Sequence, residues 1–259
     1  MPYETYSSIT VNVDEGIAAI EFHRPEKLNA LNNAVMLDLQ RAFGEISMDE
    51  TIDAVVLSGE GNDAFSAGAD ITQYAGPAAE HDPYQKHRQD LFYEVYRAPL
   101  DCHAPTIAKI DGYCVGGGLI LAMYCDMRVA SESSQFGVPT ANIGQIPTGG
   151  STRRAVDLVG EAKAKELVFT AGYVDSAEAE RIGLVNHAVP ADELDEAVQG
   201  ITTAIGDTGR EAVKASKRAI DDATDAPDLE SARAHEAELW WEQFATDERR
   251  DLVDEFNED

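Results

Sequence analysis

Near the start of the chain, apolar and polar residues alternate. In "SITVNVDEGIAAIEFHRPE" the alternation runs on both sides of Asp14, Glu15 and Gly16, which predicts a β-hairpin. The period then changes. "NNAVMLDLQRAFGEI" carries apolar residues at helical spacing, with Asn32 where an N-cap belongs. "DAVVLSG" is a short apolar run closed by glycine, the form of a strand buried on both faces, and "PTIAKIDG" repeats it. "DMRVAS" adds a further strand after an apolar helix. Strands and helices alternating at this spacing predict stacked ββα or βαβ units around a parallel sheet. From about Ser151 helical patterns take over, in "EAKAKELVFTA", "DSAEAERIGL", "ADELDEAVQGITTAIG" and a long stretch through Trp240. The expected organisation is an α/β core over residues 1–190 and a helical region over 191–259, with no Pro/Ser-rich linker and no internal repeat.

The chain has 259 residues, enough for a substantial core, and an ordinary 44% of them are hydrophobic. Its charge changes the picture. Forty-eight acidic residues face twenty basic ones, a formal net charge of −28 spread along the whole chain. That excludes nucleic acid as an expected partner, since phosphate binding needs a basic surface. A salt-adapted surface is the expectation, because self-repulsion is screened when the Debye length shrinks to ~3 Å near 1 M salt. Cys102, Cys114 and Cys125 form no CxxC pair and leave an odd count, which predicts reduced, buried thiols. No basic-then-apolar leader opens the chain and no apolar run has the length of a membrane span, so a soluble cytoplasmic protein with no membrane partner is expected.

The candidate chemistry lies in two turns rich in small residues. "GYCVGGGLILAMYCD" spans Gly112–Asp126, and its glycines stand where a strand hands over to a helix. A dinucleotide fingerprint fails, because Cys114 or Leu121 occupies a required glycine position; a P-loop fails, because Leu119 and Ile120 follow the glycines. Close helix–strand packing explains the run without any ligand. The second turn, "FSAGADI" from Phe65 to Ile71, has the same character after an earlier strand. Two such turns after neighbouring strands can instead aim two backbone N–H groups at one point, as an oxyanion site requires.

With "FGVPTANIGQIPTGGSTR", "HRPEKLNAL" and "AKELVFTAGYVDSAEAERIGLVNHAV" added, the chain resembles the crotonase (enoyl-CoA hydratase/isomerase) superfamily over essentially its whole length. The resemblance implies a ββα spiral core, a C-terminal helical trimerisation region, and a homotrimer or hexamer. It implies an acyl-CoA thioester as substrate, with coenzyme A part of that substrate and no separate cofactor. Carried over by position, the oxyanion donors are the backbone N–H groups of Ala69 and Gly117. Coenzyme A contacts fall at Lys27 and Leu28, along Ala67, Gly68, Asp70 and Ile71, and at Gly116. A helix starting at Gly118 adds its dipole.

The sequence departs from that family at the acids. Ile120 and Thr140 occupy the positions where hydratases carry two glutamates, and Thr148 replaces a usual glycine. Isoleucine cannot move a proton, and a threonine hydroxyl is a poor general base near neutral pH. The first expectation remains a hydratase/isomerase-type lyase. A CoA-ester decarboxylase, a thioester hydrolase and a catalytically weak acyl-CoA-binding subunit stay open. Substitute groups are sought among His81, Tyr84, His87, Tyr93 and Glu94, of which His87 is the candidate base, and among Asn142, Gln145 and Ser151 as water-orienting residues. Asp70, Asp111 and Asp126 are read as capping residues, and Trp240 and Trp241 as interface residues on an amphipathic helix, with an adenine contact as the alternative for Trp240. No metal constellation is present in the sequence.

The charge generates the first prediction. Between dilute buffer and 2 M KCl the midpoint of thermal unfolding should rise by many degrees; a flat midpoint, read by circular dichroism, refutes salt adaptation.

Overall fold

The structure, a computed structural model, describes residues 5–73 and 85–258. Strands β1 (Ile9–Asp14) and β2 (Ile17–Phe22) form the expected antiparallel hairpin, with Val11 opposite Ile20. Its two-residue turn has positive φ at both Glu15 and Gly16, the backbone that matches strand twist. From β2 the sheet continues in parallel through β3 (Ala54–Gly59), β5 (Thr106–Ile110), β7 (Met127–Ser131) and β10 (His187–Val189). A second sheet runs β4 (Ala64–Ser66), β6 (Tyr113–Val115), β8 (Gln135–Gly137) and β9 (Tyr173–Asp175), antiparallel only at its last pair.

The chain climbs these sheets in steps. A strand of the large sheet leads to a strand of the small one and then to a helix: β3, β4 and α2 (Gln85–Asp101); β5, β6 and α3 (Gly117–Tyr124); β7, β8 and α4 (Ser151–Thr170). This is the ββα spiral, preceded by α1 (Asn33–Ile46), whose cap Asn32 accepts the Val35 N–H at 2.9 Å. α4 is interrupted at Gly160, with φ 76° and ψ 160°, so the helical pattern that begins at Glu161 is a segment of its own. The remaining helices are α5 (Ser176–Arg181), α6 (Leu194–Gly206), α7 (Arg210–Asp225), α8 (Leu229–Phe244) and α9 (Asp247–Glu258).

Burial on both faces of β3 produces two cores. Val55 and Leu57 join Ile20, Phe22, Leu39, Phe65 and Phe136 between the sheets and helices. Val56 faces the other way, with Ile107 and Val129, against Leu194 and Val198 of α6. Phe22 and Phe65 meet edge to face at 5.2 Å, tying the two sheets together. The three cysteines are buried free thiols, and burial raises all three above their ordinary value, Cys125 to about 12.

Two buried cations anchor the frame. The Arg128 guanidinium donates to the carbonyls of Leu184 at 2.7 Å, Cys125 at 2.6 Å and Ala122 at 3.3 Å, so it holds the C-terminal end of α3 with peptide dipoles. Burial lowers it to about 10. On α7, Lys217 Nζ donates to Asp126 Oδ2 at 2.7 Å and to the Pro99 and Ala104 carbonyls. Asp126 also accepts from the Thr106 N–H and hydroxyl, so this residue, expected as a cap, is the hub between α7 and β5.

The C-terminal helices differ from expectation in one respect. Trp240 and Trp241 are 54% and 63% exposed, and with Phe244 they pack on one another, not on the core; Leu239 is the buried residue of α8. The three aromatics, at i, i+1 and i+4, converge into one exposed cluster while the core contact falls to Leu239, so the helix does not bury its aromatic residues as a single apolar stripe. No helix among the described residues is long and apolar enough to cross a membrane.

Lys217→Met leaves Asp126 partly buried without its cation. The loss should be about 2–3 kcal/mol by denaturant titration in molar KCl, below the range for a fully buried pair because the carboxylate keeps some solvent contact. Adding Asp126→Asn should recover part of it.

Candidate functional site

The site grows from a pairing of two loops. After a short 3₁₀ turn (Pro25–Lys27) the chain passes through Leu28 and Asn29, both left-handed at φ 50° and 52°. Asn29 compensates for that backbone. Its amide donates to the carbonyls of Ala64 at 2.7 Å and Glu60 at 3.1 Å, and its Oδ1 accepts the Arg24 N–H. The loop is thereby fixed beside β4. The Ala67 N–H donates to Leu28 O, Leu31 N–H to Gly68 O, and Asp70 N–H to Leu31 O, at 2.8–2.9 Å. Lys27 and Leu28, both exposed, thus stand on the loop that pairs with Ala67–Asp70.

Asp70 has a structural task. Its Oδ1 accepts from the Thr72 hydroxyl at 2.6 Å and the Thr72 N–H, and its Oδ2 faces Arg24 at 3.2 Å. The Thr72 hydroxyl bond is the main cause that holds the carboxyl below its ordinary value, against burial and with help from Arg24. It closes the turn, as expected of a cap.

β4 and β6 are parallel neighbours, so the turns that follow them meet. A Cβ on Gly68 would lie 2.7 Å from Val115 O and 2.8 Å from Gly117 N; a Cβ on Gly117 would lie 3.2 Å from Ala69 N. No other residue permits this approach. Gly116, at φ 53° and ψ −125°, caps α3, which starts at Gly117, one residue earlier than the sequence suggests. A Cβ on Gly118 would fall 2.5 Å from Ser66 O, so the run also serves close helix–strand packing. The glycines therefore serve close helix–strand packing and also let the two turns touch.

Among the described residues neither the Ala69 nor the Gly117 N–H has an acceptor. Gly117 is the first residue of α3, where N–H groups lack intrahelical partners and the dipole is positive. Two free donors on touching backbones can receive one oxygen atom that gains negative charge.

The helix that Gly117 begins carries no acid or base through Tyr124. Every residue of α3 is buried, and Ile120 is 3% exposed. Thr140, in the 3₁₀ turn Pro139–Ile143, has a solvent-sealed Oγ1 with no partner among the described residues, and Ser151 Oγ is in the same condition. Asn142 and Gln145 are exposed. Glu94 is exposed and accepts from Gln40, which leaves it on the outer face of α2. His81, Tyr84 and the side chain of His87 lie outside the described residues.

Tyr96 was not singled out from the sequence, yet it borders the pair. Its phenol oxygen lies 2.5 Å from the Cβ position of Gly117. It sits in "FYEVY", three residues after Tyr93, and only the packing of α2 distinguishes the inward tyrosine from the outward one. Tyr124 donates to Gly149 O at 2.7 Å and is raised chiefly by burial. A charged cleft of about 660 Å³ lies beyond it, lined by Tyr93, Arg97, Arg153, Arg154 and Asp221; Ala69 and Gly117 do not line it. Among the described residues no group of three His, Cys, Asp or Glu side chains suits a metal ion.

Comparison with known proteins agrees with this architecture. The sequence pattern of the enoyl-CoA hydratase/isomerase family matches residues 12–259. The short-chain-enoyl-CoA hydratase of Clostridium acetobutylicum is 35% identical over 253 residues, covering 97% of this chain and 95% of that protein. The crotonyl-CoA hydratase of Syntrophomonas wolfei is 33% identical over 98% of this chain and 96% of that one. An enoyl-CoA hydratase structure from Bacillus anthracis superposes with a TM-score of 0.92 at 30% identity, over 97% of this chain and 96% of that one. With its ββα spiral and C-terminal helices, the chain belongs to the enoyl-CoA hydratase/isomerase family and has the crotonase fold.

Proposed function

We propose that this enzyme hydrates short trans-2-enoyl thioesters of coenzyme A, with the thioester oxygen held by the N–H groups of Ala69 and Gly117. The approach of Gly68 to Gly117 carries this reading, since it leaves two unused donors side by side. When water adds to the β-carbon, the C=C electron pair moves toward the thioester and its oxygen becomes an enolate oxygen. Donors fixed before that charge develops stabilise the transition state more than the ground state. The names of the relatives support the substrate class. Lys27, Leu28, Ala67, Gly68, Ile71 and Gly116 are assigned to the coenzyme A side of the site, and Asp70 to shaping it. Coenzyme A enters with the substrate, and no separate cofactor is assigned. The exposed Trp240, Trp241 and Phe244 favour residues 191–259 as an oligomerisation region of a trimer or hexamer.

Ile120 and Thr140 keep a second reading in view. A decarboxylase or hydrolase of CoA esters needs the donor pair more than paired acids, and a binding subunit needs neither. Mass spectrometry of a four-carbon enoyl-CoA and a panel of acyl-CoAs, incubated with the protein in molar KCl, separates these. Addition of one water to the enoyl ester is the expected result; release of carbon dioxide or free coenzyme A from another ester overturns it.

Replacing Gly117 by its α-hydroxy acid, glycolate, exchanges one donor N–H for an ester oxygen and adds no Cβ to the tight contact with Ala69 and Tyr96. It should lower kcat by about 10²–10³-fold, with the melting temperature as the check on folding. Ile120→Glu with Thr140→Glu should raise hydration. No gain in the folded double variant indicates a substrate pose different from that of two-glutamate relatives.

A further inference from the structure

We propose that Tyr96 is the catalytic proton donor of this enzyme, doing with one phenol the proton transfer for which positions 120 and 140 provide no carboxylate. The proposal rests on the hydratase reading above and adds to it the residue that moves the proton.

Position is the first argument. The Cβ site of Gly117 lies 2.5 Å from Tyr96 Oη and 3.2 Å from Ala69 N, so one point in space adjoins a phenol oxygen and one of the two donors, on the very residue that supplies the other. A thioester seated with its oxygen on both N–H groups has its α-carbon two bonds from that oxygen, beside the same point. A hydroxyl that borders the donor pair is therefore close to the carbon that must be protonated.

Fixation is the second argument. Tyr96 is 2% exposed, which keeps bulk water from competing for its proton. Phe92 meets its ring edge-on, with centroids 5.9 Å apart and planes at 76°. On another side a Cβ at Gly149 would come within 2.5 Å of its Cδ2, so a bare glycine is what lets the ring lie there. The Gly149 carbonyl is itself held by Tyr124. The phenol is thus clamped between α2 and the loop that leads into α4, and such prior fixation is what makes a proton donor effective.

Chemistry is the third. Ile120 offers no exchangeable proton, and a threonine hydroxyl at 140 is far too weak an acid. A phenol is the strongest acid of the three. The step balances as follows. The water oxygen bonds to the β-carbon and the C=C π pair moves onto the thioester, giving an enolate. The α-carbon takes the Tyr96 proton as the enolate collapses. The phenolate recovers a proton from the newly bound, still doubly protonated oxygen. The product is a 3-hydroxyacyl thioester, with both hydrogens of one water accounted for and the phenol restored. Because one residue delivers and recovers the proton, both hydrogen and hydroxyl arrive on the same face.

Tyr96→Phe keeps the ring and its packing. Two readouts on wild type and variant test the proposal: turnover of a four-carbon trans-2-enoyl-CoA, and the red shift of bound cinnamoyl-CoA, which reports polarisation by the donor pair and needs no proton transfer. The expected result is an unchanged red shift, a KM within a few-fold of wild type, and a kcat lower by about 10²–10⁴-fold. The alkaline limb of the wild-type kcat profile should vanish with it. Hydration within threefold of wild type, with the red shift intact, overturns the Tyr96 proposal and leaves the hydratase reading standing. A wild type that red-shifts the probe but hydrates nothing overturns both, and one that does not red-shift it removes the donor pair as well. If Tyr96→Phe proves unstable, fluorotyrosine at position 96 keeps the hydroxyl and acidifies it: the alkaline limb must then move to lower pH, and an unmoved limb overturns the proposal.

Discussion

The contact of one bare backbone with another, Gly68 against Gly117, is the constraint to which the rest of the molecule answers. Two strands of the small sheet must be direct neighbours for their exits to meet, and no Cβ can stand between them. Each flank then has to be held from outside. The loop through Leu28 and Asn29 braces Gly68 by ladder hydrogen bonds, Ser66 Oγ accepts its N–H, and Arg128 secures the far end of the helix that Gly117 begins. Unfavourable backbone at Leu28 and Asn29 is tolerated because three hydrogen bonds of the Asn29 side chain determine it.

An apolar helix behind the donor pair has a cost and a benefit. Under the hydratase reading, an isoleucine at position 120 offers nothing with which to handle water. The same side chain lowers the local dielectric constant, and two N–H dipoles aimed at an oxygen act more strongly when less solvent screens them. A site of this kind leans on electrostatics more than on proton shuttling. Under the proposed reading Tyr96 is the polar side chain beside the donor pair, and the buried hydroxyls of Thr140 and Ser151 lie in the turn and helix start that follow β8.

The sequence made the order of elements readable because each carries its own period. Val55, Val56 and Leu57 announced a strand buried on both faces, and they divide between two cores as such a strand must. The hairpin at Glu15–Gly16 and the Asn32 cap were local signals and needed no tertiary information. The two turns at Gly68 and Gly117 were recognisable as small-residue turns, but their meeting depends on β4 and β6 being adjacent, which no local pattern states. Tyr96 was hidden for a related reason. Tyr93 and Tyr96 share a helix and a residue type, and which faces inward is decided by the packing of α2 against α3 and the Gly149 loop. Asp126 looked like a cap because its partner Lys217 is ninety-one residues away along the chain. Trp240 and Trp241 were legible as aromatics on a helix, but their clustering with Phe244 away from the core depends on how α8 packs, which no local pattern states.

Arg128 carries a further meaning in a chain with so many acids. Its guanidinium is held by three peptide carbonyls, with no carboxylate among its hydrogen bonds to the described residues, and Asp126 acts on it only through space. Dipoles fixed in the interior are beyond the reach of mobile ions, so this anchor keeps its strength whether the surroundings are dilute or saturated brine. The protein thus has an interior anchor whose hydrogen-bond partners are fixed dipoles, beneath a surface that carries many acids. Evolution can then retune the surface to a new ionic habitat, adding or removing acids freely, without disturbing the alignment of the helix that begins at Gly117.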